Sequence, residues 1–131
     1  MSTNPYSTYQ NNSVLTATSG ELTLMLYEGC LKFIRFSKHA IEQNNVEDKN
    51  KYIQKAQAII SELIITLDTK IDISSSMASL YDYIQRRLIE ANIKSDVSIL
   101  EEVEGLVVEF RDTWKTVIQM NRSKVHSGGV V

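Results

Sequence analysis

The sequence predicts an all-α protein, an antiparallel up-down four-helix bundle with an extended N-terminal arm. Three observations support this fold class. Apolar residues recur at spacings of three and four along four long segments, as they do on the buried face of an α-helix. Pro5 is the one proline, so nothing forces a helix to break in the rest of the 131-residue chain. No alternation of apolar and polar residues is long enough to indicate a β-strand.

The same pattern divides the chain into an arm, a bundle and a tail. Residues 1–17 are polar and rich in Ser, Thr and Asn, which favours a flexible N-terminal arm. Residues 18–121 are expected to form the bundle, and residues 122–131, which contain adjacent glycines and no period, a disordered tail. The four helices are expected at about 19–43, 46–68, 76–93 and 96–120, with Asn45 as the N-cap of the second.

The first helix has more apolar surface than one buried face requires. It begins at a capping box, in which Thr18 and Glu21 satisfy each other's backbone amides. At about 100° per residue, its apolar side chains spread over roughly 260° of the helix circumference, against about 100° for a surface helix. Two compatible interpretations follow. The helix is the centre of the bundle and is buried by its own chain, or part of its excess face is reserved for a partner helix.

Each of the other helices carries one apolar stripe. The second stripe contains Ile53, Ala56, Ile60, Leu63 and Leu67. The third contains Met77, Leu80, Tyr81, Ile84, Leu88 and Ala91. The fourth contains Leu100, Val103, Val107, Phe110, Trp114 and Val117, a heptad pattern typical of helices that cross at shallow angles. Three isoleucines, Ile65, Ile89 and Ile93, lie off these stripes and are candidates for protein binding.

Composition and charge argue against several classes of partner. The net charge is −2 with both signs interleaved, which gives no basic patch for nucleic acid. No apolar run approaches the ~20 residues needed for membrane insertion. The N-terminal segment lacks the features of a signal peptide, and the single cysteine, Cys30, suits a small buried hydrophobe in a reducing compartment. A cytoplasmic location is expected.

The sequence predicts no catalytic, cofactor-binding or metal-binding residues, and hence no enzyme. Neither His39 nor His126 has a glutamate three residues earlier, as a di-iron bundle requires, and one cysteine cannot supply a zinc site. One rival hypothesis uses His39, which projects from the polar strip of the first helix, as the phosphorylated residue of a phosphoryl-relay bundle.

Several motifs resemble the family of flagellar secretion chaperones called FliS. Near the N-terminus they are YQNNSV (residues 9–14), TATSGEL (16–22) and MLYEG (25–29). Further along they are LYDYI (80–84), RRL (86–88), EAN (90–92), DVS (96–98) and Trp114. Ser19 stands where the family usually has proline, and Glu28 where it usually has aspartate. The resemblance covers nearly the whole chain.

The resemblance implies a cytosolic export chaperone that binds the C-terminal segment of flagellin and prevents premature polymerisation. Such a chaperone delivers its client to the cytoplasmic domain of the flagellar type III export gate. The arm is implied to cover a client groove and to contact the gate through Tyr9, with Tyr6 as a second candidate. Val14 and Leu15 are the other apolar residues of the arm that could bind protein.

A bundle with exposed apolar grooves is also expected to self-associate weakly without its client, and the arm would limit this association. The alternative is a regulatory helical bundle that sequesters some other helical partner, because both functions need an amphipathic groove.

Overall fold

The computed structural model describes residues 19–67 and 73–129, with side chains described over 20–67 and 75–120. It contains four α-helices: α1 (Ser19–Glu42), α2 (Val46–Ile65), α3 (Ile73–Lys94) and α4 (Val97–Gly129). All of the regular structure in these ranges is helical, which confirms the predicted all-α class.

The helices form a closed ring in chain order. Each helix packs against the next one, and α4 packs back against α1. Residues 43–45 and 95–96 are the short connections after α1 and α3, and connections of this length place the joined helices antiparallel. The predicted four-helix bundle is therefore confirmed.

Both short connections end the preceding helix in the same way. Asn44 and Ser95 adopt left-handed backbone conformations, with φ of 56° and 50°. In each connection the next amide donates to the carbonyl five residues earlier, at 2.8 Å after α1 and 3.1 Å after α3. This is the hydrogen bond of a Schellman motif, which usually has glycine at the left-handed position. The two turns lie side by side at one end of the bundle, which we call the closed end.

The closed end is also held by side chains from α2. Asn45 caps α2 as predicted, because its side-chain oxygen accepts from the backbone amide of Asp48 at 3.0 Å. Lys49 is only 7% exposed, and its Nζ donates to the carbonyl of Asn92 at 2.9 Å and to Ser95 Oγ at 2.7 Å. The ammonium group thus neutralises the negative end of α3 and joins α2 to the α3–α4 turn.

The buried core follows the predicted stripes. Its most buried members, at most 1% exposed, are Tyr27, Cys30, Leu31, Ile34, Ile53, Ala56, Ile60, Leu63, Tyr81, Ile84, Leu88, Ala91, Leu100, Val103 and Val107. Cys30 is fully buried on α1, as expected for a small hydrophobe, and burial raises the pKa of its thiol to about 12.

The stripes are less completely buried at the opposite end of the bundle, where α1 begins and α2 ends. We call this the open end. Leu80 is 41% exposed although it belongs to the α3 stripe, and Trp114 and Val117 of α4 are only partly buried. At this end, the predicted stripes of α3 and α4 are therefore only partly buried.

Some helix ends differ from the predicted ones. α2 stops at Ile65 rather than 68, because the amide of Thr66 turns back to the carbonyls of Glu62 and Ile64. α3 begins at Ile73 rather than 76, since serines are tolerated in a first helical turn. α4 continues to Gly129, beyond the predicted end at 120, since no proline interrupts it.

The other domain assignments stay predictions. The arm over residues 1–17 and the Thr18 side of the capping box lie outside the described residues. The disorder expected in solution for the tail over 122–131 is likewise not settled by a helical backbone that runs to Gly129.

Candidate protein-binding surfaces

The arm residues proposed from the sequence, Tyr6, Tyr9, Val14 and Leu15, lie outside the described residues. The three isoleucines are all exposed on the bundle. Ile65 is 73% exposed on α2, and Ile89 and Ile93 are 47% and 78% exposed on α3.

Ile89 and Ile93 form one small apolar surface, which we call the α3 isoleucine surface. They are four residues apart on α3, so their side chains are neighbours, and they point away from the stripe that contains Ile84 and Leu88. Because Ile84, Leu88 and Ala91 are fully buried at the same levels of the helix, neither isoleucine is needed to complete the core there.

Ile65 is distant from this surface. Gln85 Nε2 donates to the carbonyl of Gln57 at 2.9 Å, which fixes these two residues at the same level of the bundle. Ile65 lies eight residues past Gln57 and Ile89 four residues past Gln85, in opposite directions. At about 1.5 Å per residue, they are separated by about 18 Å along the bundle axis. The structure therefore brings Ile89 and Ile93 together and places Ile65 apart from them, at the open end.

The opposite flank of α3 is polar. Tyr83 Oη donates to Glu102 Oε2 at 2.6 Å, and Arg87 Nε donates to Glu102 Oε1 at 2.7 Å. These two hydrogen bonds, the one from Tyr83 first, lower the pKa of the Glu102 carboxyl. The α3 isoleucine surface is therefore bounded by a charged network on the side of α4 and lies closer to α2.

A second apolar surface was not among the predicted sites. Phe33 and Phe36 of α1 meet Tyr52 of α2, with ring centroids 6.1 Å apart for Phe33 and Tyr52 and 5.1 Å for Phe36 and Tyr52. Phe36 is 44% exposed. We call these three residues the α1–α2 aromatic surface. In the sequence, this surface was indicated by the excess apolar face of α1. That excess could be assigned either to packing within the bundle or to binding a partner helix.

Lysines surround this aromatic surface. Lys32 and Lys55 place their Nζ atoms 4.8 Å and 5.4 Å from the centroid of the Phe33 ring. Lys51 Nζ lies 4.7 Å from the centroid of Tyr52. Ammonium groups at these distances are attracted to the negative faces of aromatic rings.

A groove of about 570 Å³ continues from Phe36 along α1 towards its N-terminus, lined by Leu24, Met25, Glu28, Gly29, Lys32 and Arg35. Gly29 permits α1 and α2 to approach closely, because a Cβ there would lie 3.2 Å from Ile59 Cδ1. On the other side of Phe36, a second depression is lined by His39 and Tyr52 among others. Phe36 thus stands between two depressions on the outside of the α1–α2 pair.

Nothing in the described ranges suggests bound metal, because no three His, Cys, Asp or Glu residues cluster there. Among the same residues, no helix is both long and apolar enough to cross a bilayer. The described surface therefore offers apolar and aromatic contact area with a charged border.

Comparison with known proteins gives consistent results. A model of the family described as flagellar protein FliS matches residues 2–121. The flagellar secretion chaperone FliS of Bacillus subtilis (strain 168) is 58% identical over 128 residues, which cover 97% of this chain and 96% of that protein. FliS of Escherichia coli (strain K12) is 35% identical over 107 residues, 79% of each chain. A crystal structure of a bacterial flagellar chaperone shares the fold, with a TM-score of 0.73 at 20% identity over 87% of this chain and 94% of that one. This chain therefore belongs to the FliS family of flagellar secretion chaperones.

Proposed function

We propose that this protein binds the C-terminal segment of flagellin in the cytoplasm, prevents its premature polymerisation and delivers it to the flagellar type III export gate. Membership of the FliS family supports this function, since the relatives from B. subtilis and E. coli are both named flagellar secretion chaperones. On this proposal the protein is a binding protein and not an enzyme.

The α3 isoleucine surface is the observation that carries the proposal. A protein that masks the polymerising surface of another must offer apolar area of its own, and an amphipathic client helix fits this need. Ile89 and Ile93 supply such area outside the buried core, and the core residues of α3 beside them, Ile84, Leu88 and Ala91, are fully buried. Ile65 extends the proposed client contacts to the open end.

The N-terminal arm has a second proposed role. Tyr6 and Tyr9, with Val14 and Leu15, are proposed to cover apolar client-binding surface when flagellin is absent and to contact the cytoplasmic domain of the export gate. The arm carries these apolar side chains in an otherwise polar segment. Weak self-association without client is expected to increase when the arm is removed.

Titration calorimetry with purified monomeric flagellin tests the client. We expect the full-length flagellin to bind and flagellin lacking its C-terminal segment not to bind. Equal binding of both forms would remove the C-terminal segment from the proposal. Absence of binding to either form would favour the alternative, a regulatory bundle with another helical partner.

The proposed surface is tested in the same assay with Ile89→Asp/Ile93→Asp. Both side chains are exposed, so helix content and melting should hardly change, while flagellin affinity should fall at least about tenfold, or about 1.4 kcal/mol. Val46→Asp is the matched control, because Val46 is an exposed apolar residue of α2 (66%) at the closed end. Unchanged affinity in the double variant would exclude the α3 isoleucine surface.

A further inference from the structure

The α1–α2 aromatic surface combines an exposed ring with ammonium groups that pair with no carboxylate among the described side chains. Within the part of the chain that the structure describes, no carboxylate lies within salt-bridge distance of Lys32 or Lys55, which both contact the Phe33 ring. Lys51 differs from them, since its Nζ lies 3.7 Å from Asp48 Oδ1. Two charges at the edge of an apolar surface are therefore available to a partner.

We propose that the α1–α2 aromatic surface is a docking site for a segment of another protein, one that presents an apolar side chain to Phe36 and carboxylates to Lys32 and Lys55. Cation–π contacts already hold both lysines at the ring, so little side-chain entropy is lost when they pair with the partner. This site goes beyond the proposed function, because it does not depend on flagellin being the client.

The surface lies apart from the α3 isoleucine surface. α1 and α3 are diagonal in the ring of helices, and Phe36 and Tyr52 occupy the outside of the α1–α2 pair. Ile89 and Ile93 occupy the outer face of α3. A partner on the aromatic surface and one on the isoleucine surface therefore need not compete for the same residues.

The chain's own remaining segments do not have the required charges. Residues 1–18 and 121–131 contain no Asp or Glu. Residues 68–72 contain two aspartates, but this connection joins α2 to α3 at the open end. Tyr52 lies 13 residues before the last residue of α2, Ile65, which is about 20 Å along the helix. A carboxylate-bearing occupant must therefore come from another molecule.

A second copy of this chain is also a poor occupant. In a twofold contact through the same surface, each Lys32 and Lys55 would meet the partner copy's lysines, and like charges held close together repel. The surface fits a different protein, whose carboxylates complement the ammonium groups of Lys32 and Lys55.

Two other classes of macromolecule fit less well. Single-stranded nucleic acid binds by stacking bases on open aromatic faces. Here Tyr52 is stacked on Phe33 with an interplanar angle of 17°, and Lys32 and Lys55 also occupy that ring. An anionic lipid surface attracts clusters of several basic residues. The chain has a net charge of −2, and Glu28 borders the groove beside Phe36.

The test uses the full chain and two designed amphipathic peptides of equal length. One peptide carries Leu and Phe along one helical face with Glu on both borders, and the other has every Glu replaced by Lys. Binding is measured by fluorescence anisotropy at physiological ionic strength, and the contact surface is mapped by amide chemical-shift changes. Oligo(dT) and vesicles containing phosphatidylglycerol are titrated in parallel.

We expect the acidic peptide to bind at least tenfold more tightly than the basic one and to shift the amides around Phe36 and Tyr52. Lys32→Glu/Lys55→Glu should reverse this preference, and Phe36→Ser should weaken binding of the acidic peptide. Arg86→Glu/Lys94→Glu, which changes the net charge equally at exposed sites on α3, should leave the preference intact.

Three results would overturn the proposal. The first is equal binding of the two peptides to the unaltered protein. The second is an unchanged preference in Lys32→Glu/Lys55→Glu while circular dichroism shows a native helix content. The third is binding of oligo(dT) or the vesicles that is lost in that same variant, because the surface would then serve nucleic acid or lipid.

Discussion

The two ends of the bundle carry the same apolar periodicity but bury it to different extents. Towards the closed end, Leu88 of α3 and Val103 of α4 are fully buried. Towards the open end, Leu80 of α3 is 41% exposed and Trp114 of α4 is partly buried. Leu80 and Leu88 lie on the same predicted stripe of one helix. Periodicity therefore tells which way a side chain points, and the number of neighbours that reach it decides how deeply it is buried.

The two ends also differ in the connections between their helices. At the closed end, two Schellman turns and the buried Lys49 hold α2, α3 and α4 together within a few residues. At the open end, a longer connection, residues 66–72, joins α2 to α3. The closed end is therefore held by short turns and a buried side chain, and the apolar stripe residues left accessible to a partner lie at the open end.

The largest expected contrast is between two leucines of α3. Leu88→Ala should lower the free energy of unfolding by about 2–5 kcal/mol, because it leaves a cavity in a closed core. Leu80→Ala should cost about 1 kcal/mol or less, because its side chain already contacts solvent. Urea denaturation of the two variants measures this contrast. Equal losses would show that the open end is as tightly packed in solution as the closed end.

A smaller loss of stability is expected from breaking a hydrogen bond between two buried tyrosine hydroxyls, which lies between the two ends of the bundle. Tyr27 and Tyr81 are each 1% exposed, their hydroxyl oxygens are 2.5 Å apart, and both rings contact Phe110. Burial raises the pKa of both hydroxyls, so both stay protonated at neutral pH. Tyr27→Phe leaves the Tyr81 hydroxyl without its partner and should cost about 1–3 kcal/mol.

The matching double variant sharpens this prediction. Tyr27→Phe/Tyr81→Phe removes both hydroxyls, so its cost in urea denaturation should be clearly less than the sum of the single variants. Additive costs would mean that the two hydroxyls do not depend on each other.

At the open end, a hydrogen bond from Trp114 joins the last helix to the first. Trp114 Nε1 donates to the carbonyl of Gly20 at 2.8 Å. Trp114→Phe keeps an aromatic ring but removes this donor, and should cost about 1 kcal/mol. Met120→Ala is the control at this end, since Met120 is 65% exposed. A loss as large as that of Leu88→Ala would contradict the partial burial of Trp114.

The smallest effect concerns the pH dependence of an ion pair between α1 and α4. Glu104 accepts from Lys38 Nζ at 2.7 Å and from Arg35 Nε at 2.8 Å. Burial raises the pKa of this carboxyl, but the hydrogen bonds from Lys38 and Arg35 outweigh it and lower the pKa below its ordinary 4.5. Because the folded pKa is the lower one, the stabilisation is present above about pH 4.5 and is lost as the pH falls through the folded pKa.

Urea denaturation of Glu104→Gln at several pH values measures this effect. The variant should be less stable than the unaltered protein at neutral pH, and the difference should shrink as the pH falls below 4. Glu109→Gln, which alters an exposed carboxyl of the same helix, should show no such trend. A difference that is constant with pH would exclude the ion pair as its cause.

The sequence predicted the class, the number and the order of the helices because apolar spacing and cap residues are local signals. Asn45 was expected as a cap and is one, and the α2 stripe is buried as predicted from Ile53 to Leu63. The left-handed turns at Asn44 and Ser95 had no glycine to indicate them. The depth of burial of Leu80 was also not predictable, because it depends on the distance between two helices.

The candidate surfaces were predictable only in part for the same reason. Ile89 and Ile93 were found because both lie off a clear stripe on one helix, and the structure leaves them exposed. The aromatic surface needs Phe33, Phe36 and Tyr52 from two helices, and no spacing within a single helix indicates that they meet. In the sequence, nothing distinguishes the lysines of this surface from other lysines. Lys55 lies beside Phe33 only because α2 packs on α1.

Because the thiol of Cys30 is enclosed by the bundle, its chemical reactivity reports when the helices separate. A sulfur with no solvent contact and a pKa of about 12 cannot react with alkylating reagents or oxidants while α1 stays packed. Because Cys30 is the chain's one cysteine, each labelling event in a population records one molecule whose helices have come apart. The rate of labelling with and without a bound partner would then measure how much that partner slows opening, with no dye or tag attached.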